Sequence, residues 1–270
     1  MMRAMFFEPL RAWSRLVVVA AACIAAPVSA ASVRLEDMTS PEVAQAIARG
    51  QTTVLVPIGG TEQNGPHMTL GKHNRRADLL SQRVAARLGN ALVAPVLAYV
   101  PEGAIDPPTA HMRHAGTISV PSEVFVRTLE AIGRSLERHG FRDIVFLGDH
   151  GGYQNDLATA ATRLNRRAAP RARAHAIADY YGAADAGFRD LLLQRGYRAD
   201  EIGSHAGLAD TALSLALDPA IVRSERLRDV ARPGVTGDPS RATSALGEPG
   251  VDLVVSRTVD AVRAAIARAR

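Results

Sequence analysis

The chain of 270 residues contains one cysteine, Cys23, and one lysine, Lys72. Cys23 falls inside a predicted N-terminal leader, so the mature chain holds no thiol. That excludes disulfides, thiol nucleophiles and cysteine metal ligands. Any metal would have to be held by His, Asp, Glu or Asn. Aromatic residues make up only 4% of the chain, so Ala, Leu and Val must do most of the packing. The near-absence of lysine, with every other basic residue an arginine, reads as a compositional bias of the source. No internal repeat or low-complexity tract follows the leader. No apolar run reaches the roughly 20 residues that span a bilayer, so no stable membrane partner is expected.

The first thirty residues have the pattern of an export signal. Arg3, Arg11 and Arg15 form a positive start, residues 16–28 an apolar centre, and Val28-Ser29-Ala30 a small-residue cleavage site. The alternative is an uncleaved anchor. Cleavage after Ala30 predicts a mature chain, residues 31–270, in the periplasm or secreted. Net charge is +5, and without the leader 29 basic residues face 26 acidic ones. The densest basic stretch, "NRRAAPRARAH" (165–175), has no interleaved aromatics, which argues against nucleic-acid binding. Hydrophobic content of 47% permits a substantial core.

Apolar, β-branched runs alternate with helical patterns. Strands are predicted over 52–59, 91–100, 116–120, 142–149 and 172–181. Helices are predicted over 34–50, 75–88, 121–140, 155–168, 208–217 and the last twenty residues. Strands buried on both faces and alternating with helices indicate a single three-layer α/β/α domain with a mainly parallel central sheet. In such sheets ligands bind at the loops leaving the carboxyl ends of the strands.

Two polar clusters sit at such positions. "GGTEQNGPHMTLGKHN" (59–74) offers Glu62, Asn64, His67 and His73. "GDHGGYQN" (148–155) offers Asp149 and His150 among glycines, which let the backbone approach a ligand closely. The plain alternatives are a solvated turn and a helix-capping turn. Glu62, His73 and His150 would form a set of three oxygen and nitrogen donors suited to zinc, manganese or iron, with positions left open for water. A third cluster, "GSHAGLADTALSLAL" (203–217), places His205 before a helix and Asp210 near its start. His205 could serve there as general acid–base, or simply cap the helix.

These residues resemble the creatininase family of metal-dependent amidohydrolases. The segments "PIGGTEQNGPHMTLGKHN" (57–74), "HAGTISVPSEVF" (114–125), "RHGFRDIVFLGDHGGYQN" (138–155) and "HAGLADTALSL" (205–215) carry the resemblance, with "GVTGDPSRA" (234–242) in support. It runs over about residues 35 to 265. It implies a three-layer α/β/α fold, a hexamer, two divalent metals and hydrolysis of a C–N amide bond, cyclic or open, in a small molecule. It also implies that Glu62 and His150 are metal ligands and His205 the catalytic histidine.

This chain departs from the family pattern at telling positions. Asn64 stands where a histidine ligand is expected, and His73 where an aspartate is. Gly152 stands where creatininase itself has a glutamate ligand, and Asp210 where a glutamate is usual. An imidazole offers one nitrogen per metal and cannot bridge two ions as a carboxylate does. One metal per chain, on Glu62, His73 and His150, is therefore expected rather than two. Asn64, His67, Asp149 and Asp210 are candidates for completing or supporting it. Two alternatives keep the same site: hydrolysis of a lactone or ester, and a non-catalytic small-molecule-binding member.

Overall fold

Four buried runs pair in parallel, in the order β2-β1-β3-β4. They are β1 (Thr53–Ile58), β2 (Ala91–Val93), β3 (Asp143–Gly148) and β4 (Arg173–Ala176). The computed structural model describes residues 32–269; the expected export signal, with Cys23, lies outside them. Alternation along the strands divides the core. Val54, Val56, Ile58, Ile144 and Phe146 face α1 (Ser40–Ala48), α3 (Ser122–Arg138) and α4 (Gln154–Asn165). Leu55, Val145 and Leu147 face α2 (Lys72–Leu88) and the later helices. Those are α5 (Ala178–Gly182), α6 (Phe188–Gln194), α7 (Ala199–Ile202), α8 (Leu208–Leu217) and α9 (Ser244–Ala269). Burial on both faces explains why β1, β2 and β3 are fully buried runs, while the edge strand β4 is partly exposed; the result is the expected α/β/α sandwich.

The register sets up the site. β1 and β3 pair along their whole lengths, from Thr53↔Asp143 to Ile58↔Gly148. Their carboxyl ends are therefore level, and the loops that follow leave side by side. The 59–71 loop runs into α2, whose first turn carries Lys72 and His73. Gly59 has to be glycine, because a Cβ there would collide with Asn74. Asn74 Oδ1 in turn accepts the Gly60 N–H at 2.9 Å.

Several predicted elements differ in extent. The run 91–100 is a strand only over Ala91–Val93. Pro95 cannot donate to a ladder, and beyond it Leu97 and Val100 make only single bridges. The predicted strand 116–120 is likewise reduced to the bridges Thr61↔Ile118 and Val100↔Ser119. β4 ends at Ala176, and the chain turns into α5 with Asp179 in its first turn, where the helix dipole favours an acid. That turn aims the Tyr180 hydroxyl at Asp149 Oδ1, 3.0 Å away. α9 begins at Ser244 and runs through Pro249. Gly247 and Gly250 there are packing residues rather than breakers. A Cβ at Gly247 would collide with the Ala212 carbonyl, and one at Gly250 would lie 2.9 Å from the Phe188 ring.

The approach to β4 hangs on one carboxylate. Glu137, near the end of α3, accepts the Arg171 N–H at 2.6 Å, the Ala172 N–H at 3.2 Å and a short bond from Arg167. Burial works to raise its pKa, but the Arg167 bond and the two backbone donors outweigh it and leave it below the ordinary 4.5. The stabilisation is complete above the unfolded-state value and is lost as pH falls through the folded-state value. Glu137→Gln should therefore cost about 1–3 kcal/mol near neutral pH. The gap to the parent chain should narrow below about pH 4. Urea titrations of both chains at several pH values read this; a gap independent of pH would contradict it.

Candidate metal centre

Glu62 is fully buried, four residues beyond β1. Its backbone is fixed first. The Glu62 N–H donates to Leu70 O at 3.1 Å. Asn64 Nδ2 donates to Glu62 O at 2.9 Å and to Thr69 O at 3.1 Å. The Asn64 amide nitrogen thus closes the loop that presents Glu62, while its Oδ1 is buried without a hydrogen-bond partner. His67 is turned away: its Nε2 meets Thr211 Oγ1 on α8 at 3.1 Å.

Imidazoles surround the Glu62 carboxylate. His73 Nε2 lies 2.8 Å from Oε1. His111 Nε2 and His150 Nε2 lie 3.1 and 3.4 Å from Oε2. Neither of those two contacts is aligned as a hydrogen bond, so Oε2 is a buried acceptor without a donor. Burial would raise the pKa of Glu62. The imidazoles of His150 and His73, with the charge of Lys72, outweigh it and hold the group well below the carboxylate range. Glu62, His111 and His150 bring ligand atoms within 4.8 Å of one another, the spacing that one ion requires. Of the expected set, Glu62 and His150 share this cluster with His111. His73 lies beside it, with Nε2 on Glu62 Oε1 and Nδ1 on Asp149 Oδ2 at 2.7 Å, so both of its ring nitrogens face carboxylates.

His111 was not foreseen. It sits in a 3₁₀ turn, Ala110–Arg113, within the long connection between Val100 and α3. No periodic element flags it; its one signal is a histidine in the Pro-rich stretch ahead of "HAGTISV". Burial lowers its pKa, against the pull of Glu62, so the ring is neutral and able to bind.

His205, in the turn before α8, is held by the 234–242 segment. It forms a bridge with Thr236, which accounts for the supporting motif there. His205 Nε2 is 2.9 Å from Gln63 O, which can only accept, and 3.1 Å from the Gln63 amide nitrogen, which can only donate. With the proton on Nε2 for the carbonyl, Nδ1, 3.8 Å from Glu62 Oε1, presents a lone pair. Burial, reinforced by the charge of Lys72, lowers the pKa of His205 to about 4. At neutral pH it is a base.

Asp149 and Asp210 belong to a second, fully paired cluster. Lys72 Nζ donates to Asp210 Oδ2 at 2.7 Å and lies 3.9 Å from Glu62 Oε1. The Arg76 guanidinium, one turn further along α2, makes a short contact with Asp210 and lies 3.1 Å from Asp149 Oδ2. Two buried cations face the buried Asp149 and the partly buried Asp210. Lys72, whose scarcity of kind suggested only composition, is fully buried at the centre of the site. The cleft beside it is lined by His150, His205, Ser204, Tyr181 and Arg189.

The comparisons agree with this geometry. The model of the family "Creatinine amidohydrolase" matches residues 36–262. The mycofactocin precursor peptide peptidase of Mycobacterium tuberculosis is 32% identical over 224 residues, covering 72% of this chain and 78% of its own. The creatinine amidohydrolase of Pseudomonas putida is 27% identical over 257 residues, covering 86% and 96%. A solved tryptophan-to-alanine mutant of creatininase superposes with a TM-score of 0.70 at 26% identity, covering 86% of this chain and 98% of that one. Other solved creatininases include a manganese form and a zinc–zinc form of a mutant, each with a TM-score of 0.68 at 25% identity, covering 86% of this chain and 98% of theirs. The chain belongs to the creatininase family of metal-dependent amidohydrolases.

Proposed function

We propose that this chain hydrolyses a C–N amide bond, open or cyclic, in a small molecule, using one divalent ion held by Glu62, His111 and His150, with His73 bracing Glu62 from its Oε1 side. The observation that carries the reading is Glu62 Oε2: a buried, ionised oxygen with no hydrogen-bond donor and two imidazole nitrogens beside it. Zinc and manganese both suit one carboxylate with imidazoles, and iron is compatible with the same donors. The two relatives described above carry names that denote amide bonds, a peptide and creatinine, which favours an amide over a lactone or ester.

A divalent ion bound there supplies a Lewis acid that acidifies water and polarises the carbonyl under attack. The remaining work falls to the chain. Glu62 anchors the site, and the Asp149–His73 contact holds its orientation. His205 Nδ1, neutral and aimed toward Glu62, takes the proton lost by the attacking water. It then delivers that proton to the leaving nitrogen. The Gln63 backbone carbonyl favours the tautomer with the proton on His205 Nε2, and the Gln63 side-chain amide donates to Gly234 O at 3.0 Å.

Lys72 favours one ion over two. Its ammonium occupies the Oε1 side of Glu62, and Arg76 fills the space between Asp149 and Asp210. At 4 Å, like unit charges cost about 4 kcal/mol near a protein surface, and a divalent ion doubles the charge. Asn64 stands in place of a stronger imidazole ligand, and its amide nitrogen is spent on two backbone carbonyls. Export to the periplasm or medium, and assembly into a homo-oligomer, complete the proposal. The leader pattern and the family resemblance support them. N-terminal sequencing of exported protein and light scattering of the purified chain test them.

Metal analysis of chain purified without chelators should give about one zinc or manganese per chain; a value near two would overturn the single-ion reading. Glu62→Gln and His150→Ala should each lose both ion and turnover, and turnover in either metal-free variant would end the proposal. His205→Gln should keep the ion yet lower kcat by about 10²–10⁴-fold. A panel of small amides, cyclic amides, lactones and esters, assayed side by side, identifies the bond; hydrolysis confined to the oxygen esters would refute the amide assignment.

A further inference from the structure

Glu102 is the strongest feature of the molecule outside the residues already assigned. It is 2% exposed, and neither carboxyl oxygen has a hydrogen-bond partner. Its Oε2 lies 3.7 Å from His150 Nε2, on the flank of the site formed by the 100–103 segment. Leaving a buried carboxyl without a donor costs several kcal/mol, so chance burial is a poor explanation.

The surroundings hold it in that position. The Glu102 N–H donates to Ser119 Oγ at 3.0 Å, and Ser119 Oγ donates to Gly103 O at 2.7 Å. The bridge Val100↔Ser119 secures the same segment from the other side. Gly60, at the end of β1, leaves the carboxyl its space, since a Cβ there would collide with Glu102 Oε1. Position 152, beside His150, is closed to side chains: a Cβ would meet His150 Cε1 at 2.9 Å, with Pro101 O behind it at 3.8 Å. The 101–102 segment thus packs beneath the His150 loop and sends its carboxyl toward the imidazole that binds the ion.

We propose that Glu102 is a second carboxylate ligand of the divalent ion, joining Glu62 across His150. This rests on the single-ion reading above. Two carboxylates and imidazoles form an oxygen-richer donor set than Glu62 and imidazoles alone. It also supplies a negative charge that Lys72 and Arg76, committed to Asp149 and Asp210, leave uncancelled.

The test is calorimetric titration of the metal-stripped full chain with Zn²⁺ and with Mn²⁺, for the parent, Glu102→Gln and Glu102→Asp. Glutamine keeps the shape and removes the charge; aspartate keeps the charge and withdraws the carboxylate by one methylene. Both variants should bind at least about tenfold more weakly, the minimum effect expected even of a group that only supports a ligand. The visible spectrum of the Co²⁺-loaded chain should also change in intensity and position. Circular dichroism identifies a variant that fails to fold, in which case the other carries the comparison. Parent-like affinity and an unchanged Co²⁺ spectrum in a folded variant would overturn the assignment while leaving the ion in place. A parent chain that binds neither metal would overturn both this assignment and the reading on which it rests.

Discussion

An ionised carboxylate removed from water is the constraint around which this molecule is arranged. Glu62 has no exposed surface, and a charge in that position is tolerable only where other groups replace the lost hydration. His73, His111, His150 and Lys72 do so from three segments of the chain. No hydrogen bond reaches Oε2. The carboxylate is therefore stabilised as a whole, yet one of its oxygens is left for a cation. Both properties come from one placement, and neither survives if the loop moves.

The sheet makes that placement reproducible. β1 and β3 are paired over their full lengths with their carboxyl ends level, so the Glu62 loop and the His150 loop start from a common, fully packed edge. α2 then returns Lys72, His73 and Arg76 to the same edge within its first turns, because Asn64 closes the loop before it. A helix start is a stiff platform. Positions 72, 73 and 76 point to one side of it, and the spacing of three or four residues brings Lys72 and Arg76 onto a common face.

Much of this was legible in the residues. Glu62 and His150 follow buried strands, and glycines flank them. His205 precedes a helix in a small-residue turn. The layered fold follows from apolar runs without alternation. What was not legible depends on contacts distant in sequence. His111 and Glu102 lie in a connection that has no periodicity, and single bridges with Thr61 and Val100, with bonds from Gln63 to Thr117 and His111, bring that connection over the site. The strand predicted over 91–100 stops early because Pro95 ends the ladder, and the helix predicted from 251 starts earlier because its glycines pack against α8 and Phe188. In each case the local signal was real but a tertiary contact decided its meaning. Asn64 shows the reverse: its departure from the family pattern was visible, and the structure supplies the reason, a side chain spent on closing its own loop.

Lys72 shows how composition and chemistry can be confused. In a chain whose other basic residues are arginines, a lone lysine looks accidental. Its position argues otherwise. The cation there must fit between Asp210 and Glu62, with no exposed surface and without taking the oxygen that faces the imidazoles. An ammonium is a compact point charge on a flexible stem; a guanidinium is a planar fork that seeks bidentate contact. Arg76, one turn away, has two carboxylates to span, and there the fork fits. At position 72 a fork would compete with His73 for Glu62 Oε1. The exchange of one basic residue for the other at these two positions follows from the number of carboxylate oxygens each cation has to reach. It leaves Asp149 and Asp210 balanced by fixed charge and Glu62 available to an exchangeable one.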